Sequence, residues 1–108
     1  MLHGHKRQMQ IFISLRYNPD MEERDLVAEL TREGFSHIFV WEDGPCADYP
    51  EHTHRSETAH IILSGEMTLT TDGHSITYRT GDRCDVPAGT KHSAKMGPAG
   101  CRYLVGER

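Results

Sequence analysis

Histidine carries the chemistry that this sequence offers, with eight among 108 residues. The informative run is Pro50-Glu51-His52-Thr53-His54. On an extended chain, residues two apart point to the same face, about 6.6 Å from one another. Two imidazoles at that spacing can lean together until their nitrogens meet one ion at about 2.0–2.1 Å. The pair alone is a weak signal, but His60 has the same strand parity as His52 and His54, and His92 follows a Pro-x-Gly turn in a later strand. Without an ion, converging imidazoles would each need a separate partner, and shared protonation would be opposed by like charge. Neutral imidazoles suit Zn, Ni, Cu, Fe and Mn alike. The expected cofactor is therefore a divalent transition metal, its identity left open among these five.

The elements that must position these rings are short and mostly extended. Asp20 followed by Glu23 reads as a capping box, with Glu22 and Glu23 where a helix dipole favours negative charge. Leu26, Val27 and Leu30 share one face at helical spacing and Gly34 supplies a stop, which predicts a short helix over roughly residues 21–33. After Gly34 the period changes. Strands are expected over 36–41, ended by Asp43-Gly44-Pro45, and over 59–63, turned by Ser64-Gly65. Met67 and Leu69 alternate with polar residues up to the hairpin signal Asp72-Gly73. Ile76 and Tyr78 alternate again, Gly81-Asp82 turns, Cys84 to Val86 extends and Pro87-Ala88-Gly89 breaks. Strands over 92–95 and 101–105, separated by Gly97-Pro98-Ala99-Gly100, complete the series. Turn signals every eight to twelve residues indicate an all-β sandwich or barrel. Residues 10–17 form a poorly alternating candidate strand, in an arm that would pair with the barrel or with a second subunit.

Composition narrows the partners. Twelve basic against sixteen acidic residues give a formal charge of −4, which offers no stripe for tracking phosphates, so no nucleic acid is expected. No apolar stretch approaches the roughly 18–20 residues of a membrane helix, and the start of the chain is no convincing secretory signal. Cys46, Cys84 and Cys101 form an odd set without C-x-x-C spacing, against a disulfide framework or a zinc knuckle. A cytoplasmic protein is the expectation.

From Pro50 to Gly65 and from Gly81 to His92, the sequence resembles the cupin superfamily. The first family motif, G-x5-H-x-H-x3,4-E-x6-G, is matched by His52, His54 and Gly65. The second, G-x5-P-x-G-x2-H-x3-N, is matched at Gly81, Pro87, Gly89 and His92. The resemblance implies a small RmlC-like fold: an all-β cupin-type β-barrel (a double-stranded β-helix or jelly roll) with one short N-terminal helix. It implies a single cupin domain over 19–108, preceded by an arm over 1–18. Three positions depart from the pattern. The opening glycine falls on Cys46, the closing asparagine on Met96, and the glutamate slot on Thr58, while Glu57 lies one residue early. A one-residue slip moves a side chain to the opposite face, so Glu57 points outward unless a bulge re-aims it. Three ligand sets stay open: His52, His54 and His92 alone; these with His60 as a fourth; or these with Glu57 restored by a bulge.

The remaining polar residues have plainer readings. His3 and His5 fall in the arm, His74 on a hairpin tip and His37 on a strand edge. Cys84 and Cys101 read as small strand hydrophobes, with Cys84 lining the cavity if its parity points inward. Glu51, Arg55 and Lys91 flank the site, either solvated or steering an anionic substrate. Tyr49 and Tyr103 are the candidates for a general base. Two functions remain open. One is a metal-dependent enzyme, dioxygenase- or isomerase-like by resemblance, acting on a small organic molecule in the barrel. The other is a metal or small-ligand binding module without turnover. Exposed sheet edges and the analogy with small cupins imply a homodimer.

Overall fold

The computed structural model describes the backbone of residues 15–16 and all of residues 21–108. The expectations for His3, His5, Asp20 and most of the arm concern residues outside this range. In chain order the elements are β1 (Leu15–Arg16), α1 (Glu23–Arg32), β2 (His37–Asp43), β3 (Asp48–His52), β4 (Thr58–Thr71), β5 (His74–Arg79), β6 (Asp82–Val86) and β7 (His92–Glu107). The helix lies where its periodicity predicts, but its capping box is Glu22 with Asp25, the Glu22 N–H donating to Asp25 Oδ2 at 3.3 Å. The helix begins later than the pair Asp20 and Glu23 suggests, so Asp25, three residues after the cap, is the residue that reaches back.

All strand pairings among the described residues are antiparallel. Two strands, β4 and β7, run through both halves of the molecule. The first half of β4 lies between β6 and the last half of β7, giving the order β1-β6-β4-β7-β2. Its second half pairs with β5 on one side and with the first half of β7 on the other, and β3 joins that part of β7. Ser64-Gly65 and Gly97-Pro98-Ala99-Gly100 are therefore not strand ends as the sequence suggests. They are irregularities inside long strands, where the register shifts between Ile62 and Ser64 and again between Gly65 and Met67. Bulges of this kind let one strand bend from one sheet to the next. Asp72-Gly73 makes the expected hairpin turn, and Pro87-Ala88-Gly89 breaks the chain as expected.

Two glycines make the bend. Gly65 and Gly100 both have φ of +78°. A Cβ on Gly65 would lie 2.2 Å from the Gly100 carbonyl oxygen, and one on Gly100 would lie 2.5 Å from the Asp43 carbonyl oxygen. The backbones of β4, β7 and the end of β2 meet too closely there for any side chain.

Alternation sorts the side chains into two cores. Ile38, Val40, Ala59, Ile61, Leu63 and Leu104 face Leu26, Leu30 and Phe35 at the helix. Ile62, Met67, Leu69, Tyr103 and Val105 face inward with Cys84 and Val86. The helix end is tied to β6 by Arg83. Its guanidinium bonds both oxygens of Glu33, at 2.9 and 2.7 Å, and both oxygens of Asp85, at 2.7 and 2.9 Å. Such bidentate geometry holds a buried arginine without leaving its charge uncompensated.

Replacing Gly65 by alanine forces a side chain into the left-handed region and against the Gly100 carbonyl. The expected loss of stability is at least about 2 kcal/mol, read by urea denaturation. A change of under about 0.5 kcal/mol, within the range of ordinary surface substitutions, would show that the close approach is not needed.

Candidate functional site

The inward faces of β2, β3, β4 and β7 enclose a cavity of about 510 Å³. Its wall is mainly apolar and aromatic, with Phe39, Trp41, Tyr49, Met67, Leu69, Met96, Tyr103 and Val105 among the lining residues. His52, His54, His60 and His92 all face this space.

Three of these rings converge. One nitrogen from each of His52, His54 and His92 lies within 4.8 Å of the others. His52 closes β3, His54 follows two residues later, and His92 opens β7 as the direct register partner of His52. Two stretches forty residues apart in sequence are thus joined by one strand pairing. Ring centroids are 4.4 Å apart for His52 and His92, 4.8 Å for His52 and His54, and 5.1 Å for His54 and His92.

Backbone carbonyls set the tautomers. A carbonyl can only accept, so His52 Nδ1–H donates to Pro50 O at 2.7 Å and His92 Nδ1–H to Thr90 O at 2.9 Å. In the neutral rings this leaves Nε2 as the lone-pair atom. His52 Nε2 and His54 Nε2 are 3.2 Å apart. Two nitrogens bound to one ion at about 2.0–2.1 Å, with an angle between 90° and 109°, stand about 2.9–3.3 Å apart. The donor set therefore fits a transition-metal ion, and the carbonyl partners are the kind that orient ligating imidazoles. Burial holds both His54 and His92 below the ordinary histidine pKa, and in each case the neighbouring imidazoles add to the effect. Neutral rings are the form that ligates.

His60 stands apart from this cluster. It projects from β4 into the same cavity, its Nδ1–H directed at Cys84 O at 3.3 Å and its ring 5.9 Å from that of Tyr103. Glu57 does not face the cavity. It precedes β4 and pairs with Arg108, Oε1 to Nε at 2.9 Å, while the two backbones exchange hydrogen bonds at 3.0 Å. Thr58 takes the inward position instead. It is 3% exposed, and its hydroxyl has no hydrogen-bond partner among the described residues.

Several residues were not singled out by the sequence. Asp43 accepts hydrogen bonds from Trp41 Nε1 at 3.0 Å, Tyr49 Oη at 2.5 Å and Tyr103 Oη at 2.7 Å. Trp41 and Tyr103 are direct register partners. With their protons committed to this carboxylate, and with burial raising both pKa values, the two tyrosines are poorly suited as general bases. Glu107, the last residue of β7, also lines the cavity, and its Oε1 lies 2.9 Å from His37 Nδ1. The alternation His37, Phe39, Trp41, Asp43 could have pointed to the β2 residues, whereas nothing local in the sequence marks Glu107. Cys84 is fully buried and does not line the cavity. Cys46, at the slot where the motif has glycine, has φ of +58°. That left-handed conformation is what glycine would satisfy without strain. Glu51, Arg55, His74 and Lys91 are exposed and lie outside the cavity lining.

Burial lowers the His60 pKa to about 4, opposed by its bond to the Cys84 carbonyl. The unfolded chain, with a histidine pKa near 6.5, takes up the proton first on acidification. The resulting contribution is fully present above about pH 6.5 and is lost as pH falls to about 4. At about 1.4 kcal/mol per pH unit, it amounts to about 3 kcal/mol. The metal-free wild type should therefore lose stability over that window more steeply than His60→Gln, as read by denaturant midpoints at each pH. Parallel curves would show that His60 is not held neutral by burial.

Comparison with known proteins agrees with this architecture. The family described as Cupin domain matches residues 39–105. A quercetin 2,3-dioxygenase from Bacillus subtilis is 35% identical over 79 residues, spanning 71% of this chain but 23% of that enzyme. Among solved structures, the DMSP lyase DddQ from Ruegeria pomeroyi DSS-3 superposes with a TM-score of 0.60 at 28% identity, over 66% of this chain and 36% of that one. The Cnp3 cupin domain from Schizosaccharomyces pombe gives a TM-score of 0.60 at 22% identity, over 69% of this chain and 57% of that one, and so shows the fold alone. Both motif histidine stretches lie within the matched span, and the chain belongs to the cupin family.

Proposed function

We propose that the chain binds a divalent transition metal through His52, His54 and His92 and acts as a metal-dependent enzyme on a small organic molecule held in the cavity. The observation that carries this reading is the convergence of three imidazole nitrogens at the wall of an apolar cavity of about 510 Å³. A volume of that order suits a small ligand. A metal in this position supplies a Lewis acid, and iron would add one-electron chemistry. The chain's own residues orient and enclose. The Pro50 and Thr90 carbonyls fix two rings, Met67, Leu69, Met96 and Val105 exclude water, and the aromatic side chains of Phe39, Trp41, Tyr49 and Tyr103 offer faces for a ligand. The partial relationship to a quercetin dioxygenase supports oxygen-dependent chemistry over isomerisation.

The second reading, a binding module without turnover, draws support from the tyrosines. Their hydroxyl protons are engaged by Asp43, which removes the two general-base candidates from free proton transfer. A homodimer remains part of the proposal, because β2 ends the strand order with one edge unpaired among the described residues. Light scattering on the purified chain should return twice the 12.3 kDa chain mass; a monomer would remove that element.

Elemental analysis should find a transition metal in wild-type protein at roughly one ion per chain, and at least tenfold less in His92→Ala. Equal metal content in the two proteins would contradict the three-histidine site. Iron-loaded wild type is expected to consume oxygen with a phenolic, diketone or thiol substrate, and His92→Ala is expected to lose that activity. Stoichiometric metal without oxygen uptake across such a panel would favour the binding module.

A further inference from the structure

The histidine site has no carboxylate where the family motif carries one. That slot is Thr58, and Glu57 is turned away onto Arg108. We propose that Glu107, at the end of β7, supplies the carboxylate of the histidine site from across the strand pair. This assignment rests on the metal-binding reading given above.

Thr58 and Glu107 are direct register partners in the antiparallel pair of β4 and β7. Directly opposed residues share a face, with Cβ atoms about 4.5–5.5 Å apart. Thr58 lines the cavity, and Glu107 lines it beside Thr58. The displacement from the motif position is thus one strand spacing, with the facing direction kept. Thr58 has neither the length nor the charge to do the work itself. Its buried, unpartnered hydroxyl marks a place built for a polar ligand or a water rather than for packing alone.

The other acidic side chains around the site are excluded by what they touch. Asp43 is taken up by three donors from Trp41, Tyr49 and Tyr103. Glu51 is exposed and lies outside the cavity lining. Among the described residues that line the cavity, Glu107 is the acidic one. His37, which is also its register partner on β2, holds Oε1 at 2.9 Å and so steadies the carboxylate from the solvent side.

The physical role is charge compensation. Three neutral imidazoles leave a divalent ion with its full charge against an apolar wall, where an uncompensated charge is costly. A carboxylate facing the same cavity lowers that cost without entering the three-nitrogen cluster. Glu107 is a positioning residue in this sense.

Cobalt(II) titration followed by visible absorption tests the assignment on the whole chain. Glu107→Gln is close in shape to the native residue and removes the charge, so cobalt affinity should fall tenfold or more, the range seen when outer partners of metal ligands are removed. Glu107→Asp keeps the charge and should stay within a few-fold of wild type, as should Glu57→Gln. Thermal melts of the metal-free variants show that each is folded. Glu107→Gln within twofold of wild type would overturn the assignment, as would an equal loss in Glu107→Asp, which would mean that shape and not charge is at stake. If wild type itself takes up no cobalt, the histidine site fails as a metal site; binding by wild type with no effect of Glu107→Gln removes the role of Glu107 alone.

Discussion

The position of β7 governs this molecule. Its last half is hydrogen-bonded to β2 on one side and β4 on the other, and its first half to β3 and the far part of β4. Each pairing fixes which side chains face which way, because the side-chain period of a strand is two. In this register Trp41 meets Tyr103, Thr58 and His37 flank Glu107, and His52 meets His92. A shift of one residue in the pairings of β2, the first half of β4 and the end of β7 would exchange the cavity wall with the face that packs on the helix. The helix and Arg83 oppose such a shift, since Leu26, Leu30 and Phe35 cover the outward residues Ala59, Ile61 and Leu104.

That register requires β4 and β7 to run through both halves of one folded sheet, and the price is local. Gly65 and Gly100 stand where three backbones crowd together, so the bend depends on residues with no side chain. The bend separates two working regions. On one side of it, β3 and the start of β7 bring His52 and His92 together; on the other, β2 and the end of β7 carry Phe39, Trp41, Tyr103 and Glu107. The cavity is the space between these regions.

The electrostatics follow from the same arrangement. Burial lowers the pKa of His54, His60 and His92, which favours the neutral form in which an imidazole presents a lone pair. The carbonyls of Pro50, Cys84 and Thr90 each engage an Nδ1, which fixes the tautomer with Nε2 as the free atom. Asp43 accepts hydrogen bonds from three uncharged donors. Basic side chains are absent from the described cavity lining, so a metal there would be its main positive charge.

Much of this was legible in the sequence. Apolar periodicity located α1, the Asp72-Gly73 and Pro87-Ala88-Gly89 signals located turns, and the spacing of His52, His54 and His92 with two glycine-bearing motifs indicated the barrel and the histidine cluster. These are short-range signals, and local backbone preferences are enough to produce them. What sequence could not supply depends on which strands become neighbours. Ser64-Gly65 and Gly97 to Gly100 read as turns because glycine and proline mark turns and bulges alike; only the pairing of β4 with β7 makes them bulges. His60 shares a parity with His54, but the loop between them interrupts the strand, so its distance from the other three rings was set by tertiary packing. Glu107 lies forty-nine residues from Thr58, and no local pattern connects them. Strand pairing put that carboxylate into the cavity, because hydrogen-bond register, unlike residue type, is a property of two segments at once.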